Sequence, residues 1–220
     1  MIDQRVTVLT GHYGSGKTSV ALALALHMRG MGRRVAIGDL DIVNPYFRTA
    51  DCREELAAAG VPLIASPYAG SNLDVPALPK ELYALLTDKA SYAVLDVGGD
   101  DRGAVALGRY APMLVDRAEV LFTVNFFRPL TRTPEAALAV LREVETACGL
   151  ACTGLVHNSN LGPATEPGDL MAARPLINAL SSLSGLPVRL TTANPPVYRA
   201  LEHTIENLME IHPLSTGIAE

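Results

Sequence analysis

At 220 residues the chain has room for one well-buried α/β domain and too little for two with a linker. A hydrophobic content of 49% beside 19% charged residues is that of a globular protein, and the net charge of −5 argues against a general nucleic-acid-binding surface. No apolar run reaches the roughly 18 residues of a membrane span, and residues 1–5 lack the charged and apolar regions of a signal peptide, so a cytoplasmic location is expected.

Apolar β-type runs alternate with amphipathic stretches along the chain, without repeats or linker-like composition, which is the pattern of a parallel sheet. The first strand is expected at 5–10 and the first helix at 17–28. A strand at 34–39, a helix at 49–59 and a short strand at 62–65 come next. The segment 66–79 has three prolines and Gly70-Ser71 but no periodicity, and is read as a surface loop suited to a partner or substrate contact. A helix at 79–87 leads to a strand at 92–96, then a helix at 103–115 and a strand at 120–125. The last elements expected are a helix at 134–148, a strand at 152–157, a helix at 167–183, a strand at 187–191 and a helix at 196–208. Thr133-Pro134 supplies a capping residue before a first-turn proline, and Gly60 and Gly185 sit where helices end. Most strands are apolar on both faces, so helices should cover both sides of a mostly parallel, twisted sheet of about seven strands.

Between the first strand and the first helix, Gly11-His12-Tyr13-Gly14-Ser15-Gly16-Lys17-Thr18 fits G-x-x-x-x-G-K-[ST] without a mismatch. Glycines let such a loop turn successive backbone N–H groups toward one anion, while the lysine adds charge and the threonine a metal-ligating hydroxyl. The expected ligand is a nucleoside triphosphate with Mg²⁺. Gly11, His12, Gly14, Ser15, Gly16, Lys17, Thr18 and Ser19 are the candidate phosphate contacts.

Ligand residues of an open α/β sheet gather beyond the carboxyl ends of its strands. Asp96 ends one strand where a phosphate-loop protein holds Mg²⁺, directly or through water. Gly98 and Gly99 after it let backbone approach the γ-phosphate and move when that group leaves, and Asp100 lies next at the same end. Asp39 and Asp41 end the second main strand. Asp39 would lie near Lys17 and the metal, and Asp41, further into the loop, would orient the attacking water. Each residue also has a plainer use: Asp96 opening a turn, Asp41 capping one before Asn44-Pro45. Cys52, Cys148 and Cys152 are read as buried free thiols. The last two are spaced C-x-x-x-C, but Gly149 separates them and no further metal ligands are near.

These motifs resemble the MinD/ParA/CobQ-CobB group of P-loop nucleotide-binding proteins. Val35-Ala36-Ile37-Gly38-Asp39-Leu40-Asp41 is similar to their first switch, Leu95-Asp96-Val97-Gly98-Gly99 to their second, and Val156-His157-Asn158 to a late strand whose terminal Asn reads the base. The resemblance implies a single-domain P-loop NTPase fold over residues 1–220, with slow Mg²⁺-dependent hydrolysis switching the loops after Asp41 and Asp96. It further implies a nucleotide-dependent homodimer or a protein partner at those loops. Asn158 would pair with the base, flanked by Thr192-Ala193-Asn194-Pro195. Adenine is favoured, because Asn158-Ser159-Asn160-Leu161 lacks the Lys and Asp of the N/T-K-x-D guanine motif, so the expected nucleotide is ATP. Asn158 capping a turn is the alternative.

The chain departs from the MinD/ParA pattern in having His12 where a signature lysine reaches across a nucleotide-sandwich dimer. Imidazole is shorter and largely neutral at pH 7 unless nearby phosphates charge it, and Arg48 is a second candidate donor. No basic amphipathic helix ends the chain to favour membrane anchoring, no basic patch favours DNA partitioning, and the cysteines are not placed for an iron-sulfur carrier. Two competing readings remain. One is an ATP-dependent synthetase or kinase that activates a small carboxylate, with 66–79 and 125–132 lining a second pocket where Arg128 and Arg132 meet an anion. The other is a non-hydrolysing nucleotide-binding module.

Overall fold

Strands with apolar side chains on both faces are stable only in the middle of a three-layer fold, and all five residues of β1 (Val6–Thr10), all six of β2 (Val35–Leu40) and all seven of β5 (Ala118–Val124) are buried. The computed structural model describes residue 2 and residues 4–41, 52–65, 80–99 and 101–212, with the backbone alone at 101 and 102. Asn44, Pro45, Arg48, Asp100 and the segment 66–79 lie outside the described residues. With β3 (Leu63–Ala65), β4 (Tyr92–Val97), β6 (Gly154–His157), β7 (Val188–Ala193) and β8 (Leu208–Glu210), the strands form one sheet in the order β3-β2-β4-β1-β5-β6-β7-β8. Every pairing is parallel.

Helix α1 (Lys17–Gly30) packs Val20, Leu24 and Met28 on one face of the sheet, in a core shared with Leu9, Ile37 and Val94. Leu56 of α2 (Arg53–Ala58) joins it. The other face is built around Tyr110 and Phe122. There α3 (Lys80–Thr87), α4 (Asp101–Gly108), α5 (Ala111–Leu114), α6 (Pro134–Cys148) and α7 (Pro167–Ser184) contribute Leu82, Leu107, Leu114, Leu141 and Ile177. The expected caps are present. Thr133 Oγ accepts the Ala136 N–H at 3.2 Å, and Gly149 and Gly185 close α6 and α7 in the left-handed region.

Three local expectations are corrected. The helix expected over 103–115 is two helices, because Pro112 lacks an N–H and its ring excludes the carbonyl of a preceding helical turn, so the chain breaks at Arg109-Tyr110. The last helix, α8 (Pro195–Leu201), stops seven residues before Leu208, and the chain turns at Asn207 (φ 53°), a residue type that tolerates this conformation. Beyond that turn runs the eighth strand, three residues long and paired with β7. No described helix is long and apolar enough to cross a membrane. Burial pushes the Cys148 and Cys152 thiols up, holding them protonated and unreactive, and no described cysteine is in a disulfide.

His157 at the end of β6 is buried edge-on to Phe126, with ring centroids 6.2 Å apart, and its Nε2 meets no hydrogen-bond partner among the described residues. Desolvation, followed by the Arg174 charge, lowers its pKa to about 4. The unfolded chain takes up this proton near the usual 6.5 while the folded chain refuses it. Stability from this site is therefore complete above pH ~6.5 and falls as pH drops toward 4, by roughly 3 kcal/mol over the whole window. Urea unfolding of a His157→Gln variant should show a flatter pH profile between 7 and 4 than that of the natural chain. Equal slopes would remove His157 as the cause.

Candidate functional site

The loop after β1 is held by three glycines that no other residue could replace without strain. Gly11 (φ 138°) passes so close to β5 that a Cβ would stand 2.3 Å from the Thr123 carbonyl oxygen, and Gly14 and Gly16 have φ of 73° and 87°. Gly16 opens α1, and no side chain caps that helix, so its first N–H groups face the loop. Lys17, 6% exposed, donates its ammonium to the His12 carbonyl at 3.2 Å.

Two strands bring acidic residues to this loop. Asp96 pairs across the sheet with Leu9 of β1 on one side and Asp39 of β2 on the other, so both carboxylates stand beside the start of the loop. Asp39, Asp41 and Asp96 are all buried. β2 ends at Leu40, and the Asp41 N–H turns back to Asp39 Oδ1 at 3.0 Å. Gly99 closes the far wall. A Cβ there would fall 2.5 Å from the Tyr13 nitrogen and 2.8 Å from Lys17 Nζ, so the turn after β4 touches both the loop and its lysine.

A cleft of about 400 Å³ opens along the loop. It is lined by Gly14, Gly16, Lys17, Thr18, Ser19 and Asp41, and by Asn158 and Asn194 from the ends of β6 and β7. Gly11 and Ser15 are buried in the loop, while His12, Gly98 and Gly99 line a smaller cavity of about 300 Å³ together with Val140 and Glu143 of α6. Tyr13, 55% exposed, borders both. Tyr13 falls at a variable position of the loop motif, Asn160 within the 158–161 segment, and no motif marks Gly162 or Ile211, which also line the cleft. Arg128 was read as lining a second pocket; instead it lines this cleft, its Nε donating to the Gly14 carbonyl at 2.9 Å.

Asn158 clamps the loop. It is 1% exposed, and its amide donates to the Ser15 carbonyl at 2.6 Å and accepts from the Thr192 hydroxyl at 2.6 Å and from Asn160 Nδ2 at 3.1 Å. Its oxygen takes two donors and one of its two Nδ2–H groups holds the loop, while Asn158 also lines the cleft. Asn194 likewise caps α8, accepting the Val197 N–H at 3.0 Å.

The donor set around the loop suits a hard divalent ion: the Thr18 hydroxyl with the Asp39 and Asp96 carboxylates, all oxygen. Among the described residues no three metal-ligating acidic, His or Cys side chains converge to hold a metal by themselves.

No known sequence family and no curated protein matches the chain. Its fold is similar to that of the 54 kDa signal recognition particle protein from Aeropyrum pernix K1 solved with GDP, at TM-score 0.58 and 17% identity over 84% of this chain and 40% of that one. It is also similar to the cell division protein FtsY from Thermotoga maritima, at TM-score 0.57 and 16% identity over 88% and 63% of the two chains. Chloroplast FtsY from Physcomitrella patens gives TM-score 0.59 and 16% identity over 96% and 62%. The chain thus spans less than two thirds of the length of each. These likenesses carry architecture alone: the chain has the parallel α/β fold of a P-loop NTPase.

Proposed function

We propose that the cleft binds a nucleoside triphosphate with Mg²⁺, with ATP preferred, and that slow hydrolysis resets the turns after Asp41 and Asp96, as in the MinD/ParA/CobQ-CobB proteins its motifs resemble. Residues 1–220 act in this reading as one domain. The observation that carries it is the packing of Gly99 on Tyr13 and Lys17, since a terminal phosphate held by Lys17 is then sensed directly by the turn that leads into α4.

Lys17 meets the β- and γ-phosphates. Thr18 and Asp96, with Asp39 beside it, would hold the Mg²⁺, whose charge draws electron density from the phosphate oxygens. Asp41 orients a water molecule. The bond from the γ-phosphorus to the β–γ bridging oxygen breaks as one to the water oxygen forms, and the water proton leaves with inorganic phosphate. His12, Gly98 and Gly99 line the small flanking cavity, where a second copy or another protein would sense the switch.

Adenine is preferred because Asn158-Ser159-Asn160-Leu161 lacks the Lys and Asp of the guanine motif. The lining amides of Asn158, Asn160 and Asn194 can supply the donor and acceptor that adenine needs, and Asp41, the one carboxylate among the described lining residues, stands next to the phosphate loop. At a hundredfold excess over Kd, MgATP should add about 2.7 kcal/mol and raise the melting temperature by about 5–10 °C. MgGTP at the same concentration should do much less. A rise with GTP and none with ATP would overturn the adenine assignment and keep the phosphate site.

A further inference from the structure

The turn between β5 and α6 is fixed by buried polar groups. Asn125 accepts the Phe127 N–H at 2.9 Å and donates to the Asn160 carbonyl at 3.0 Å, and its own carbonyl receives the Thr131 hydroxyl at 2.6 Å and the Arg128 N–H at 3.1 Å. Ser159 Oγ accepts the Phe126 N–H at 3.1 Å. The turn is therefore tied to the residues after β6, which Asn158 ties to the phosphate loop.

Arg128 stands on this turn and reaches back to the loop, its Nε on the Gly14 carbonyl. No carboxylate among the described residues pairs with it. One guanidinium N–H anchors the side chain, and the two terminal nitrogens make no other hydrogen bond among the described residues, which is the fork that recognises a phosphoryl group. His12 stands in the loop where a longer, permanently charged side chain would serve, and its Nδ1 lies 3.0 Å from the Tyr13 carbonyl.

On the basis of the nucleotide reading of this cleft, we propose that Arg128 is a catalytic residue supplied from within the chain. Its guanidinium binds the terminal phosphoryl group and stabilises the charge that develops on its oxygens as the bond to the β–γ bridging oxygen breaks and the bond to water forms, giving the nucleoside diphosphate and inorganic phosphate. The rate per chain is then independent of protein concentration, because no second copy completes the site.

The test compares phosphate release and equilibrium nucleotide binding in the natural chain, Arg128→Ala, Arg128→Lys and Leu130→Ala, the last an exposed position of the same turn. Arg128→Ala should lower kcat about 10³-fold while the Kd for ATP moves no more than about threefold, and Arg128→Lys should recover little of the loss. ADP with aluminium fluoride should bind the natural chain more tightly than ADP alone, and Arg128→Ala no more tightly. Leu130→Ala should behave as the natural chain. The inference falls if Arg128→Ala keeps its kcat, if ATP affinity and kcat fall together as a mere loosening of the loop would cause, or if the rate per chain climbs with concentration. A natural chain that binds ATP without turning it over overturns the role of Arg128 and leaves the binding reading standing. A natural chain that binds no nucleotide removes both.

Discussion

A Lys17→Ala chain is expected to fold and to lose its nucleotide. Lys17 is the first residue of α1, and its ammonium lies under the loop on the His12 carbonyl, against the wall made by Gly99. Alanine is a better helix former than lysine and removes a buried charge, so the fold has little to lose. The ligand loses much more. An ammonium on a phosphate oxygen is a charge-assisted hydrogen bond of about 1.5–3 kcal/mol, and with the associated charge neutralisation its loss should weaken MgATP binding at least about a hundredfold. Phosphate release should fall to background. Calorimetric titration together with a melting curve checks both halves, and a variant that binds MgATP like the natural chain would show that the loop does not hold phosphate.

Gly99→Ala is the second large effect, and its cause is steric. The added carbon would meet the Tyr13 nitrogen at 2.5 Å and the His12 carbonyl carbon at 2.8 Å, both backbone atoms that cannot swing aside, as well as Lys17 Nζ at 2.8 Å. The turn after β4 must then retreat from the loop. A displacement of about 1 Å near a reacting group costs about a hundredfold in rate, so kcat should fall by at least that factor while ADP affinity changes little. Gly168→Ala, at a helical position where a Cβ meets nothing within 4 Å, is the matched control and should be silent. Equal rates in the two variants would mean that Gly99 takes no part in sensing the phosphate.

The order of strands and helices was legible because each long strand is apolar on both faces and each long helix carries its own punctuation, as Thr133-Pro134 and Gly149 do for α6. Short elements were not. β8 is three residues and exists by pairing with β7, information that no local window holds, and the α4–α5 break turns on Pro112 alone. The site divides the same way. Residues 11–18 form a contiguous motif, and Asp39 and Asp96 announce themselves at the ends of apolar runs, where parallel pairing makes them neighbours. The hold of Asn158 and Arg128 on the loop could not be read so, because each is made to a carbonyl oxygen far away in the chain: Ser15 for the one, Gly14 for the other. The motif suggests a base contact for Asn158, and the hydrogen bonds add a clamp on the loop.

Crystals grown with Mg²⁺ and a non-hydrolysable ATP analogue test the central claim most directly. The account predicts the β-phosphate enclosed by the N–H groups of residues 14–18, with Lys17 and Arg128 on the γ-phosphate, the metal against Thr18, and the Asn158 amide still on the Ser15 carbonyl. An analogue bound away from this loop, or absent at saturating concentration, would contradict it.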